Sequence, residues 1–131
     1  MEEAVTALLT ADARVRYLMG DRIHWGRLPQ NAQAGPYVIL QVISSPNDYT
    51  NSGRSGLKRA RLQVDGYADR FLTARDCADA ITDVLEKFRG TLSGVTFQGG
   101  FIADTRDFQP DGAAGKQLYR RSTDIFLWVF T

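Results

Sequence analysis

Residues 57–88 read LKRARLQVDGYADRFLTARDCADAITDVLEKF, and this stretch decides the fold. Its first part, 57–67, alternates: Ala60, Leu62 and Val64 fall on one face, Arg59, Arg61, Gln63 and Asp65 on the other, the period of a half-buried strand. From residue 69 to residue 88 the period changes. Phe71, Ala74, Ala78, Ile81, Leu85 and Phe88 recur at steps of three and four, with Cys77 and Val84 beside them, so they line one side of a helix. Arg70, Thr73, Asp76, Asp79, Asp83, Glu86 and Lys87 form its solvated side. An amphipathic helix following an amphipathic strand implies that the two apolar faces meet, and the expected fold class is α+β: this helix, with two short N-terminal ones, on a mostly antiparallel, mixed sheet.

Working towards the N-terminus, 37–45 reads as a strand whose unbroken Val38-Ile39-Leu40 run predicts burial on both faces. Residues 28–36 hold Pro29, Gly35 and Pro36 and cannot continue a strand. A short strand is expected at 22–27. Val5, Leu8 and Leu9 share a helical face, but extending that helix would put Asp12 within the apolar arc, so a break is expected near Thr10. Thr10 would cap a second helix with Asp12 in its first turn, Val15, Leu18 and Met19 inward, and Gly20 ending it.

Residues 45–56 contain Pro46, Asn47, Asp48, Asn51, Ser52, Gly53, Ser55 and Gly56 and have little to bury. They predict a long mobile hairpin loop bearing Tyr49 and Arg54, and loops of that length are commonly functional. Towards the C-terminus, 95–108 is a strand interrupted by a bulge or bend at Gly99-Gly100, and 109–116 a second flexible turn. In the last strand, 117–131, Thr123, Ile125, Leu127 and Val129 face one way, and Arg120, Ser122, Asp124, Phe126, Trp128 and Phe130 the other. Large aromatics bury on the order of 150–250 Å² each, and three together exceed the few hundred Å² of contiguous apolar surface a monomer usually exposes. Something must cover them: the N-terminal helices are the expected cover, a partner subunit the alternative.

With 131 residues the chain suits one domain, 1–131; 44% hydrophobic and 24% charged residues at a net charge of +1 give no general attraction to nucleic acid or acidic membranes. The first residues are acidic where a secretory signal would be basic, and no apolar run approaches the roughly 20 residues that span a bilayer. Cys77 has no partner for a disulfide and reads as a small buried hydrophobe, in keeping with a reducing compartment. His24 is the only histidine, so any nucleophilic triad would have to be built on it, and zinc would lack a ligand set. The segment 53–56 lacks the glycine spacing and the Lys-Ser/Thr pair of a phosphate loop. Asp104 and Asp107 could suggest a metal-dependent enzyme also using Arg120, but a spacing of three puts them on opposite faces of a strand. Arg59, Arg61, Arg120 and Arg121 could meet a nucleic-acid backbone; the interspersed Asp65 and Asp124 favour cross-strand ion pairs. No catalytic residue, cofactor or metal is expected.

Several fragments together resemble a known family: the helical segment 4–18, Arg22-Ile23-His24-Trp25-Gly26-Arg27-Leu28-Pro29-Gln30, Pro36-Tyr37-Val38, Ala60-Arg61-Leu62-Gln63-Val64-Asp65 and Leu118-Tyr119-Arg120-Arg121-Ser122-Thr123-Asp124. In this order they look like the bacteriophage tail-completion proteins, which include tail-to-head joining proteins, siphophage tail terminators, and prophage and gene-transfer-agent relatives. The resemblance implies a virion subunit without enzyme activity, assembled in the host cytoplasm. It would form a hexameric ring at the head-proximal end of the tail tube. Its partners would be its own copies, the tube protein and the head-tail connector or adaptor, with DNA passing through the lumen without sequence-specific binding. A head-side adaptor or stopper is the nearest alternative. Local physics, and not the resemblance, nominates the contact residues: Asn47, Tyr49, Arg54, Arg59, Arg61, Asp111, Lys116, Arg120 and Asp124.

Overall fold

A computed structural model describes residues 1–30, 34–110 and 118–130. Helix α1 (Glu2–Ala11) ends where Asp12 turns to extended backbone, and α2 (Ala13–Met19) begins there. The cap is Asp12, not Thr10: its carboxylate accepts the Val15 N–H at 3.1 Å. Thr10 stays helical and its hydroxyl donates back to the Thr6 carbonyl at 2.8 Å. A cap needs extended backbone and a short acceptor, and Asp12 has both. Gly20, at φ 58°, closes α2.

The sheet follows the order β1-β2-β4-β7-β6-β5, with β3 also paired to β4. β1 (Ile23–Trp25) runs parallel to β2 (Tyr37–Ser44), and the other pairings are antiparallel. The central strands are β4 (Gly53–Ala68) and β7 (Tyr119–Phe130), in unbroken register from Leu57↔Phe130 to Ala68↔Tyr119. The expected α+β class holds.

Helix α3 (Phe71–Lys87) lies across the sheet with Ala74, Cys77, Ala78, Ile81 and Leu85 buried. Small residues permit a close approach. A Cβ on Gly66 of β4 would sit 2.7 Å from the Ala74 carbonyl oxygen and 3.2 Å from the Ala78 Cβ. Phe71, expected on the buried face, is exposed at the first turn and packs edge-on against Tyr119. α1 and α2 lie on the same side of the sheet, where Val5, Leu9, Val15 and Met19 join Leu40, Leu62, Val64, Ile81, Ile125 and Leu127 in one core.

With helices on one side only, β2 is not buried on both faces as expected: Val38 and Leu40 are buried, while Tyr37 and Ile39 are half-buried on the helix-free side. The largest correction concerns 45–56. This stretch is not a loop. β3 (Asn47–Thr50) turns through Asn51 and Ser52 into the start of β4, with Tyr49 opposite Arg54 and Thr50 opposite Gly53. β4, 16 residues long, extends roughly 50 Å, and β2 and β3 follow one another along its edge. Backbone pairing to a strand longer than the core requires no apolar face, so periodicity does not see it.

After α3, β5 (Gly90–Leu92) turns through Ser93 and Gly94 into β6 (Val95–Phe108), a short hairpin the sequence pattern did not announce. The expected irregularity at Gly99-Gly100 is present as a register shift between Phe97 and Gly100, and a second follows between Ile102 and Asp104.

Candidate assembly interface

The feature that most needs explanation is the helix-free face of the sheet, built by strand register. One row across it joins Tyr37, Tyr67, Arg120 and Phe108; the next joins Ile39, Asp65, Ser122 and Arg106; a third joins Gln63, Asp124 and Asp104. Beyond them lie Arg61, Phe126 and Phe101, then Arg59 and Trp128, and finally Leu57 and Phe130. The middle of the face is ionic and one end aromatic.

In the ionic part Arg61 donates to one oxygen of Asp124 at 2.6 Å, and Arg106 stands 3.6 Å from the other while donating to Asp104 at 3.0 Å. Asp65 accepts from Gln63 at 2.7 Å and has Arg120 at 3.6 Å. Asp124 is 4% exposed and Asp65 7%, although no helix covers them. The surrounding arginine and aromatic side chains screen them from water. Asp65 Oδ1 and Asp124 Oδ1 are buried without a hydrogen bond among the described residues, as are Arg120 Nε and His24 Nε2. Charge pairs therefore neutralise this face before anything docks on it, as the interspersed acids predicted.

The aromatic end is capped by guanidinium groups. Arg59 lies 4.8 Å from the Phe126 ring centre and 6.0 Å from that of Trp128, Arg61 lies 5.6 Å from Phe126, and Phe101 packs at 5.5 Å on the same ring. The expected cover, the N-terminal helices, lies on the other side of the sheet. Arginine stacking replaces it in part, and Phe130 remains exposed. At the opposite end Tyr37 and Tyr67 stack at 4.9 Å; desolvation raises both phenol pKa values above the ordinary one.

Of the nominated contact residues, Arg59, Arg61, Arg120 and Asp124 meet on this face. Asn47, Tyr49 and Arg54 belong to the β3–β4 hairpin, but their side chains lie outside the described residues, as do Asp111, Lys116 and most of the turn expected at 109–116. Arg121 separates from the other arginines: it lies on the helix side and donates to Asp107 at 2.8 Å and to Asp79 at 3.3 Å. Those hydrogen bonds hold the Asp107 carboxyl below its usual range and raise the Arg121 guanidinium. Asp104 and Asp107 fall on opposite faces, opposite Asp124 and Arg121 respectively, and no group of three metal-binding side chains occurs among the described residues. Cys77 is buried, and desolvation pushes its thiol up to about 11. No helix among the described residues is long and apolar enough to cross a membrane. Sequence reading missed Phe101 and Arg106, because strict alternation puts residues five apart on opposite faces and only the shift between Ile102 and Asp104 brings both to one.

No curated protein matches the chain. Among solved structures, a chain from the virion of a native gene transfer agent particle superposes with a TM-score of 0.76 over 100% of this chain and 95% of that one, at 23% identity, a likeness of fold. The family described as Tail completion protein gp17 matches residues 3–129. Matched over almost its whole length, the chain belongs to the tail completion protein family and is a structural protein of the virion tail.

Proposed function

We propose that this chain is a tail terminator: copies of it form a hexameric ring on the head-proximal end of a siphophage-like tail tube, stop tube growth and join tail to head. The reading rests on family membership and, in the molecule, on one observation: a sheet shielded by helices on one face only, whose other face carries neutralised ion pairs and half-exposed aromatics. Such a surface suits contact with other protein. A ring subunit must offer one surface to the last tube ring, another to the connector, and a head-to-tail contact whose rotation closes. The chain then works by shape, as a single-domain subunit, and DNA passes through the lumen without base-specific contact.

The β3–β4 hairpin, which carries the nominated Asn47, Tyr49 and Arg54, is assigned to the tube or connector contact. Deleting 47–55 removes backbone outside the core, so the variant should fold with unchanged far-UV circular dichroism and fail to yield joined particles. Infectious particles at the normal titre from that deletion would refute the assignment.

A further inference from the structure

The geometry points to β6 as the strand through which one copy continues the sheet of the next. This deepens the ring reading and rests on it. β5 pairs with β6 only at 95–97, so from residue 98 to residue 108 the outer edge of β6 has no ladder partner among the described residues. Unpaired N–H and C=O groups along such an edge are a template for another strand, and proteins usually blunt it with charge or irregularity. Here the blunting is incomplete. Both register shifts precede Asp104 and leave 104–108 regular. The charges on this run are already engaged within the chain, Arg106 with Asp104 at 3.0 Å and Asp107 with Arg121 at 2.8 Å. An incoming strand therefore meets no unpaired charge there.

Apolar area collects at the same edge. Phe101 is 48% exposed, Ile102 43% and Phe108 42%, on strand residues whose two faces both reach solvent. Phe101 and Phe108 lie on the helix-free face and Ile102 on the other, beside Ile125, so this apolar area is spread along both faces of the strand. Each partner in a stable interface contributes roughly 800 Å², so these side chains supply only part of it. An eleven-residue edge supplies further area.

The occupant is a second copy of this chain, because the same sheet offers a matching edge. On its other side, β2 beyond Leu40 and all of β3 lack an outer partner among the described residues, and Ile43 is exposed there. Direction settles compatibility. β6 is antiparallel to β7 and β7 to β4, so β6 runs with β4; β2 and β3 run against β4. Head-to-tail copies that keep the sheet continuous thus bring β6 of one against the β2–β3 edge of the next in opposed directions, the pairing that antiparallel ladders require. Each copy uses one edge of each kind, so the contact is heterologous and closes by rotation.

Hydrogen exchange by mass spectrometry, on the full chain alone and assembled on purified tail tubes, tests this. Segments 101–108 and 41–50 should gain protection together on assembly. Ile102→Glu should keep the circular dichroism of the parent and raise the concentration needed for assembly roughly tenfold or more; Tyr17→Glu, exposed on α2, should leave it unchanged. Rings in which 101–108 exchanges as fast as in the isolated chain would overturn the β6 contact and leave the ring reading standing. Absence of any ring on tubes would overturn both.

Discussion

Asp107 and Arg121 illustrate how much one residue's role depends on register. In sequence Arg121 sits beside Arg120, and both enter one basic row; in the fold they point to opposite faces, and Arg121 binds Asp107 and Asp79. The hydrogen bonds from Arg121 lower the Asp107 pKa. A lowered folded-state pKa stabilises the protein above the unfolded value, near 3.9, and that contribution is lost as pH falls through the folded value. Because the Asp107 carboxylate still reaches solvent, which screens the pair, Asp107→Asn should cost only about 0.2–1 kcal/mol near pH 6. The cost should vanish near pH 2, where parent and variant unfold alike; equal thermal midpoints at both pH values would show that the pair does not stabilise the fold. Cys77, by contrast, was legible at once: its place on the apolar stripe of α3 predicted burial, and burial has pushed its thiol out of the reactive range.

Elements were readable where their own pattern makes them form. The change from period two to period 3.6 near residue 69 marked the passage from β4 to α3, and both lie where predicted to within two residues, apart from the N-terminal extension of β4. How near α3 approaches β4 was not readable, because it depends on which glycine lies beneath which alanine. Gly66→Ala would put a methyl 2.7 Å from the Ala74 carbonyl oxygen, so the helix must lift. We expect a loss of about 1–3 kcal/mol with an unchanged slope in urea unfolding. A loss under a few tenths would mean that the helix yields freely. The β3–β4 hairpin failed the pattern test for the opposite reason: it is held by ladder hydrogen bonds along an extended β4 and buries no alternating face. Thr10 was mistaken for a cap because two residue types able to cap stand within three positions of each other, and only backbone conformation chooses between them.

For the whole molecule, assembly is the property to measure. The purified chain should show a mass that rises on mixing with tail tubes to that of a hexamer per tube end, by native mass spectrometry or by counting subunits on tube ends. A constant monomer mass with bare tube ends would end the ring reading. The sequence by itself determined the α+β class, the inward residues of β4, β7 and α3, and the pairing of arginines with aspartates on one face of the central strands. Those follow from local periodicity, which most core residues obey; Ala80, buried off the stripe, and Phe71, exposed on it, do not. Only the tertiary structure decided which side of the sheet the helices cover. Both sides of β7 are apolar at its C-terminal end, so its pattern is symmetric between them, and the choice depends on the path of the chain between distant elements. The same holds for the open edge of β6: an unpaired strand has the sequence of a paired one, and only the position of its neighbours leaves its hydrogen bonds without partners.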